Sequence, residues 1–191
     1  MLTQIFSLVV GTVADLFCLV LLARFALQWA RASFRNPVGH FVIAATDWAV
    51  RPARKAVPGL FGLDLASLLL AWLGQFAWLG LAAALSGVAA ILSPAVAGSL
   101  ALAALVEVAR LALYLAMGVV IVSALLSWIN PYAPQAPLFD GLSRPLLRPF
   151  RRLIPPIGGV DLSPLALLLL LQVLLIVTGS LRFSLLPWLG R

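Results

Sequence analysis

The stretch "RPFRRLIPPIGGVDL", Arg148–Leu162, has a degenerate copy earlier in the chain, "RPARKAVPGLFGLDL", at Arg51–Leu65. The two superpose without a gap at a constant offset of 97 residues: Arg51 with Arg148, Pro52 with Pro149, Arg54 with Arg151, Pro58 with Pro155, Gly62 with Gly159 and Asp64 with Asp161. Chance does not readily supply so long an ordered match, so the chain reads as a tandem repeat. Gln75 and Gln172 keep the same offset, and an offset two residues longer brings "ARFALQWA" from Ala23 onto "VSALLSWI" from Val122, aligning Trp29 with Trp128. Each half is helix, basic re-entry segment, helix, the first over 1–97 and the second over 98–191.

The composition says what kind of helix. In 191 residues, 63% are hydrophobic and 10% charged, and the mean hydropathy is +1.12, far from soluble averages. The chain is an integral membrane protein. Spanning hydrocarbon takes roughly 20 apolar residues, and the runs that suffice are Leu2–Trp29, Leu65–Leu92, Leu100–Ile129 and Leu162–Leu181. The first is read as a retained helix rather than a signal peptide: no Lys or Arg precedes it, it is too long, and Asp15 sits in its middle. The expected fold class is an all-α membrane protein with four transmembrane helices.

The net charge of +7 does not point to nucleic acid, because the basic residues are not spread over a polar domain that could cover a duplex. They sit in blocks between apolar runs. The connection after the first helix carries Arg31, Arg35, Arg51, Arg54 and Lys55, that after the third carries Arg144, Arg148, Arg151 and Arg152, and "SPAVAGS" between the second and third carries none. By the positive-inside rule both basic connections face the cytoplasm and both termini face outward. Arg182 and Arg191 fall on the outer side and count against this.

On a helical wheel at about 100° per residue, Phe139, Leu142, Leu146, Phe150 and Leu153 oppose Arg144, Arg148, Arg151 and Arg152. In the first copy Phe41, Ala45, Trp48 and Pro52 oppose His40, Asp47, Arg51, Arg54 and Lys55. Such a segment lies in the membrane interface with its apolar face down; the plainer alternative is a solvated basic loop. Pro145 and Pro149 predict a broken or kinked element. In "PPIGGVDLSP" the prolines fix extended backbone, Gly158 and Gly159 permit a sharp change of direction, and Asp161 or Ser163 caps the next helix with Pro164 in its first turn. Asp64 has the same place before the second helix. A carboxylate there complements the helix dipole and can pair with a neighbouring Arg; a direct partner or ion contact is the alternative.

Inside the spans, Gln75 and Gln172 lie roughly 16 Å along their helices, which suits interhelical hydrogen bonding across the pseudo-twofold axis or a solute pathway. Asp15, Glu107 and Arg110 are costlier in hydrocarbon. Measured from the paired tryptophans, Asp15 and Arg110 differ in depth by about 6 Å, so they are expected to pair between the first and third helices. Glu107 and Arg110 share one helical face. The readings are a structural ion-pair cluster or a transport role.

"SWINP" at Ser127, followed by "RPLLRPFRRLIPPIGGVDLSP" at Arg144, resembles the signature of the YggT family, small bacterial membrane proteins with YlmG-type members in Gram-positive bacteria and chloroplasts. The resemblance covers both halves, the first being the more degenerate. Two positions depart from the family's habit: the Arg five residues before the Trp is present as Arg24 but replaced by Ser123, and the Asp-Pro that often opens the basic segment stands as Asp47-Trp48 and Arg144-Pro145. The resemblance implies a bacterial inner-membrane location and a connection with osmotic tolerance, ion uptake, cell division, cytochrome b assembly or membrane organisation. It implies no reaction.

The residues themselves do not suggest an enzyme. His40 lies in a basic interfacial segment, and there is no nucleophile elbow, phosphate loop or zinc spacing. A lone cysteine, Cys18, excludes an internal disulfide and reads as a small packing or lipid-facing residue. One His and two Met do not make a bis-histidine haem site, and no cofactor is expected. The remaining readings are a scaffold or assembly factor whose basic faces contact anionic lipid or a cytoplasmic protein partner, and a component of ion or osmolyte transport; a homo-oligomer is compatible with either.

Overall fold

The computed structural model of the chain describes residues 1–32, 36–57, 59, 63–87, 93–130, 132–154 and 161–185. Gly158 and Gly159, with the prolines before them, lie outside the described residues. Among the described residues run six helices: α1 (Leu2–Trp29), α2 (Pro37–Ala56), α3 (Leu65–Leu85), α4 (Pro94–Ile129), α5 (Ala136–Leu153) and α6 (Ser163–Leu185). Four of them, α1, α3, α4 and α6, are long and apolar enough to cross a membrane. The fold class is the expected one: apolar, amphipathic, apolar, twice over.

Local chemistry sets the ends. α1 stops at Trp29, where Arg31 takes a left-handed φ of 51° and the Ala32 N–H turns back to the Leu27 carbonyl at 2.9 Å, a closure usually made with glycine. α3 stops at Leu85, short of the expected Leu92, because Gly87 adopts φ +75° and its N–H bonds back to Ala84. α4 starts ahead of the expected Leu100: the Ser93 hydroxyl accepts from the Val96 N–H and Pro94 fills the first turn. Repeat division at 97/98 therefore falls inside α4. α6 runs past Leu181, its Ser180 and Ser184 hydroxyls donating back to the Ile176 and Ser180 carbonyls.

The prolines do not break the amphipathic elements. α5 is one helix with Pro145 and Pro149 inside it, and α2 runs through Pro52. A proline removes its own N–H from the ladder, and all three stand at exposed positions, where the ring points away from the packed side.

With little hydrophobic drive between helices in lipid, close packing of small residues has to hold the bundle. α1 packs on α3, α4 packs on α6, and α4 also touches α1, α3 and α5. Ala66, Ala71, Ala82, Ala83, Ala103 and Ala104 are buried. At Gly11 a Cβ would fall 2.7 Å from the Trp78 ring, so a larger residue at this crossing would have to displace that ring. The Trp72 indole N–H donates to the Ala101 carbonyl of α4 at 3.0 Å.

The amphipathic helices sit at one end of the bundle, called here the basic end. Each buries a narrow stripe: Gly39, Val42, Thr46 and Val50 in α2, and Leu138, Ser143 and Leu147 in α5. Leu27, Val42 and Leu138 join α1, α2 and α5 in one cluster. The wheel faces are refined by this packing. On α5, Leu146 and Phe150 pack onto the cluster of Val120, Leu147, Leu167 and Leu171, and Leu153 is left exposed. On α2, Phe41 and Trp48 stay exposed at 62% and 71%, with the Trp48 ring beside Phe17 at 5.6 Å between centroids.

Candidate functional site

Two polar constellations occupy the basic end, one per half. In the first, Arg24 projects from α1 into the angle between α2 and the start of α3 and is only 4% exposed. Its Nη1 donates to Thr46 Oγ1 at 2.7 Å and Asp47 Oδ1 at 2.9 Å, while its Nε lies 3.3 Å from Asp64 Oδ2. Arg54 grips the same Asp64 with two hydrogen bonds, 3.2 and 2.7 Å, and Ser67 Oγ adds a third at 2.7 Å. Arg51 closes on Asp47 at 3.1 Å. Burial by itself would raise the pKa of Asp64; the hydrogen bonds from Arg54 and Ser67 and the charges of Arg54 and Arg24 prevail and hold it below the ordinary carboxylate value.

Asp64 is thus the hub of an ion network and not a side-chain cap, since its carboxylate makes no capping bond to α3. Asp161 pairs with the corresponding arginine and also accepts the first N–H of α6. It accepts the Ser163 N–H at 2.9 Å and the Arg151 Nε at 2.8 Å. Burial pushes its pKa up, and the Ser163 and Arg151 hydrogen bonds outweigh that and lower it. Elsewhere in the second half, Ser123 and Ser143 hydroxyls share a 2.9 Å hydrogen bond and Arg144 pairs with Asp140 at 2.7 Å. By the two offsets, Ser123–Ser143 stands where Arg24–Thr46 stands in the first half. Beside it opens a cavity of about 390 Å³ lined by residues that include Ser123, Trp128, Asp140, Leu147, Arg151 and Asp161.

A third set lies within the spans. Gln75 Nε2 donates to Asp15 Oδ1 at 2.9 Å, and Glu107 lies between Arg110 at 3.1 Å and Arg182 at 3.0 Å, with the Arg110 guanidinium 6.0 Å from the Tyr114 ring centroid. The expected Asp15–Arg110 pair is not formed. Asp15 and Arg110 lie at similar depth, but α1 turns Asp15 toward α3, and Arg110 is held on its own helix by Glu107, which Arg182 shares. Gln75 and Gln172 do not meet either: Gln75 is fully buried, while Gln172 is exposed. Among the described residues no group of His, Cys, Asp and Glu is placed to hold a metal ion.

An arginine-to-aspartate clasp across each re-entry segment, repeated in two halves of a four-span bundle, is the geometry of the repeated sequence signature. The chain belongs to the CCB3/YggT family. The family's pattern matches residues 3–85 and 102–182. An uncharacterized protein of Pseudomonas aeruginosa is 40% identical over 168 residues, 87% of this chain and 84% of that protein. The uncharacterized YggT of Escherichia coli K12 is 36% identical over 169 residues, 88% of this chain and 86% of its own, and an uncharacterized protein of Vibrio alginolyticus is 34% identical over 167 residues, 87% and 89%. No solved structure matches.

Within this CCB3/YggT chain the basic residues singled out from the sequence divide in two. Arg51, Arg54, Arg144 and Arg151 are tied to carboxylates. Lys55, Arg148 and Arg152 are exposed and have no carboxylate partner among the described residues. Sequence reasoning met Arg24 only as a family position and did not place Thr46, Ser143 or Arg182 in any site. The repeat held the signal for the first three: the two offsets already set Arg24 against Ser123 and Thr46 against Ser143. Nothing comparable marked Arg182, which α6 brings to Glu107 by running longer than expected.

Proposed function

We propose that this CCB3/YggT protein is a non-enzymatic membrane scaffold or assembly factor whose basic end faces the cytoplasm of a bacterial inner membrane and contacts anionic lipid, with room for a protein partner. The observation that carries this reading is the division of the cations. Arginines bound to aspartates hold the re-entry segments in place, whereas Lys55, Arg148 and Arg152 stand exposed beyond them. Each basic residue near an anionic surface contributes about 1 kcal/mol, attenuated by salt. The orientation, with both termini outside, follows from the positive-inside rule; reporters fused after Arg191 are expected to read as external and reporters within 130–138 as cytoplasmic.

The test replaces Lys55, Arg148 and Arg152 by Gln together and follows spin labels at Trp48 and Leu153, the exposed apolar positions of α2 and α5. In anionic liposomes the labels of the otherwise unaltered protein are expected to be lipid-accessible, and those of the triple variant to move toward water at unchanged helix content. Labels that stay put in every lipid and salt condition would refute the lipid contact.

A second reading, ion or osmolyte transport linked to osmotic tolerance, is favoured by the charged and polar groups inside the spans, Asp15–Gln75 and Arg110–Glu107–Arg182. Proteoliposomes separate the two. The scaffold reading expects no potassium or sodium flux above protein-free vesicles, and robust flux overturns it.

A further inference from the structure

The cavity in the second half lies where the first half places an arginine. Its lining residues Ser123, Leu147, Arg151, Asp161 and Pro164 correspond by the two offsets to Arg24, Val50, Arg54, Asp64 and Ser67. In the first half the guanidinium of Arg24 reaches Thr46, Asp47 and Asp64 through this space. In the second, a serine stands at the root of the same position, its hydroxyl bonded to Ser143, and about 390 Å³ opens in front of it, within the range of about 300–1,000 Å³ usual for small-molecule sites.

We propose that this cavity is a headgroup site for an amine-bearing zwitterionic phospholipid, whose primary ammonium takes the place that the Arg24 guanidinium holds in the first half and whose phosphate meets Arg151. This does not rest on the scaffold reading, which concerns other residues and anionic lipid.

The carboxylates ask for a cation. An ionised carboxylate offers about four acceptor sites. Asp64 takes two hydrogen bonds from Arg54, one from Ser67 and the charge of Arg24, whereas Asp161 takes the Arg151 Nε and the Ser163 N–H and has no second arginine beside it among the described residues. Asp140, across the cavity, is engaged on Oδ2 by Arg144, and its Oδ1 has no donor among the described residues. Arg151 in turn spends its Nε on Asp161, and among the described residues its terminal amino groups have no partner, which suits an anion. A group carrying both signs satisfies both sides.

The remaining walls ask for a lipid. Ala124, Leu126, Trp128 and Leu147 line the cavity alongside the charged residues, and Trp128, 64% exposed, stands at the end of a spanning helix, where tryptophan marks the membrane interface. A primary ammonium has N–H donors for Asp140 and Asp161; the trimethylammonium of phosphatidylcholine has none.

The experiment places the full chain in nanodiscs with phosphatidylglycerol and either phosphatidylethanolamine or phosphatidylcholine in equal amounts, and counts retained lipid by native mass spectrometry. Phosphatidylethanolamine is expected to be retained about ten-fold over phosphatidylcholine, the ratio set by one charge-assisted hydrogen bond. Ser123→Arg supplies the first half's guanidinium and is expected to abolish the preference. Asp140→Asn, which leaves the Arg151–Asp161 clasp intact, is expected to reduce it and serves where Ser123→Arg does not fold. Equal retention of the two lipids by the unaltered protein overturns the proposal, as does a preference undiminished in the folded variants. Soluble ethanolamine that competes as well as the lipid would assign a free amine instead, and arginine amide binding with neither lipid preferred would assign a protein guanidinium; either result overturns the lipid assignment.

Discussion

Both halves of the bundle clasp the aspartate that opens their last helix with the arginine ten residues before it, Arg54 on Asp64 and Arg151 on Asp161. Only the first half covers the clasp with a further arginine from its opening helix. The Asp64 side chain is 1% exposed and that of Asp161 38%. The shared contact is local, made within one short segment, so each copy of the segment remakes it. The contact that differs is long-range and depends on one position of another helix, so a single exchange, Arg24 against Ser123, is enough to change a filled ion network into an open cavity.

The largest expected effect tests that asymmetry. Replacing Arg24 by Leu leaves Asp47 with Arg51 and the buried Asp64 with Arg54, but it removes the buried guanidinium's hydrogen bonds to Thr46 and Asp47, each worth about 1.5–3 kcal/mol. Ser123→Ala removes one hydroxyl hydrogen bond, worth about 1 kcal/mol. Thermal unfolding in detergent is therefore expected to show a large drop for Arg24→Leu and a small one for Ser123→Ala. Adding Asp47→Asn to Arg24→Leu is expected to cost less than the sum of the two separate changes. Equal losses from the two halves, or strict additivity, would mean that Arg24 does not tie Asp47 and Asp64 into one network.

What the sequence makes legible is what is one-dimensional. A span is a run of apolar residues and an interfacial helix is a periodicity, and both are written along the chain; hence the four spans α1, α3, α4 and α6 and the amphipathic faces of α2 and α5 are legible in the sequence. So is the clasp, through the Arg and Asp of the repeated segment. Which way a helix faces is not written there. Asp15 and Arg110 share a depth but not a direction, because α1 lies against α3 with Gly11 under Trp78. The equivalence of Gln75 and Gln172 likewise shows that they correspond and not that they touch. α4 packs on both halves, so its neighbours differ from those of α1, and the repeat's symmetry does not extend to the residues that meet between helices.

That glutamine pair gives the next, smaller test. Gln75 is buried against Asp15, and Gln75→Leu removes an interhelical hydrogen bond of on the order of 1 kcal/mol together with the donor to a carboxylate. Gln172 is exposed in the middle of α6, so Gln172→Leu is expected to leave the unfolding midpoint of the monomer unchanged. An amide facing hydrocarbon gains by finding a partner. If a second copy supplies it, energy transfer between labelled chains in liposomes falls for Gln172→Leu and persists for Gln75→Leu at matched protein-to-lipid ratio. Equal stability losses from both substitutions would erase the distinction between the halves at this depth.

The smallest effect is in the acid response of the two clasps. Both aspartates are held below the ordinary carboxylate pKa, which is about 3.9 when unfolded. A carboxylate lowered on folding contributes stability that is complete above that value and is lost as the pH falls through the lower folded one. The unfolding midpoint in detergent is accordingly expected to be flat from about pH 7 to about 5 and to decline below about 4. Asp64→Asn lowers the midpoint at neutral pH and removes part of the acid decline, because its carboxylate is the one enclosed by two arginines and a serine. Asp161→Asn is expected to change the slope little, since a carboxylate this exposed is screened by solvent and its ion pair is weak. A decline already under way between about pH 7 and 5 would place the titration elsewhere in the molecule. An equal change of slope for the two substitutions would mean that covering the clasp with Arg24 adds nothing to it, and the contrast between a filled first half and an open second half would then be one of shape alone.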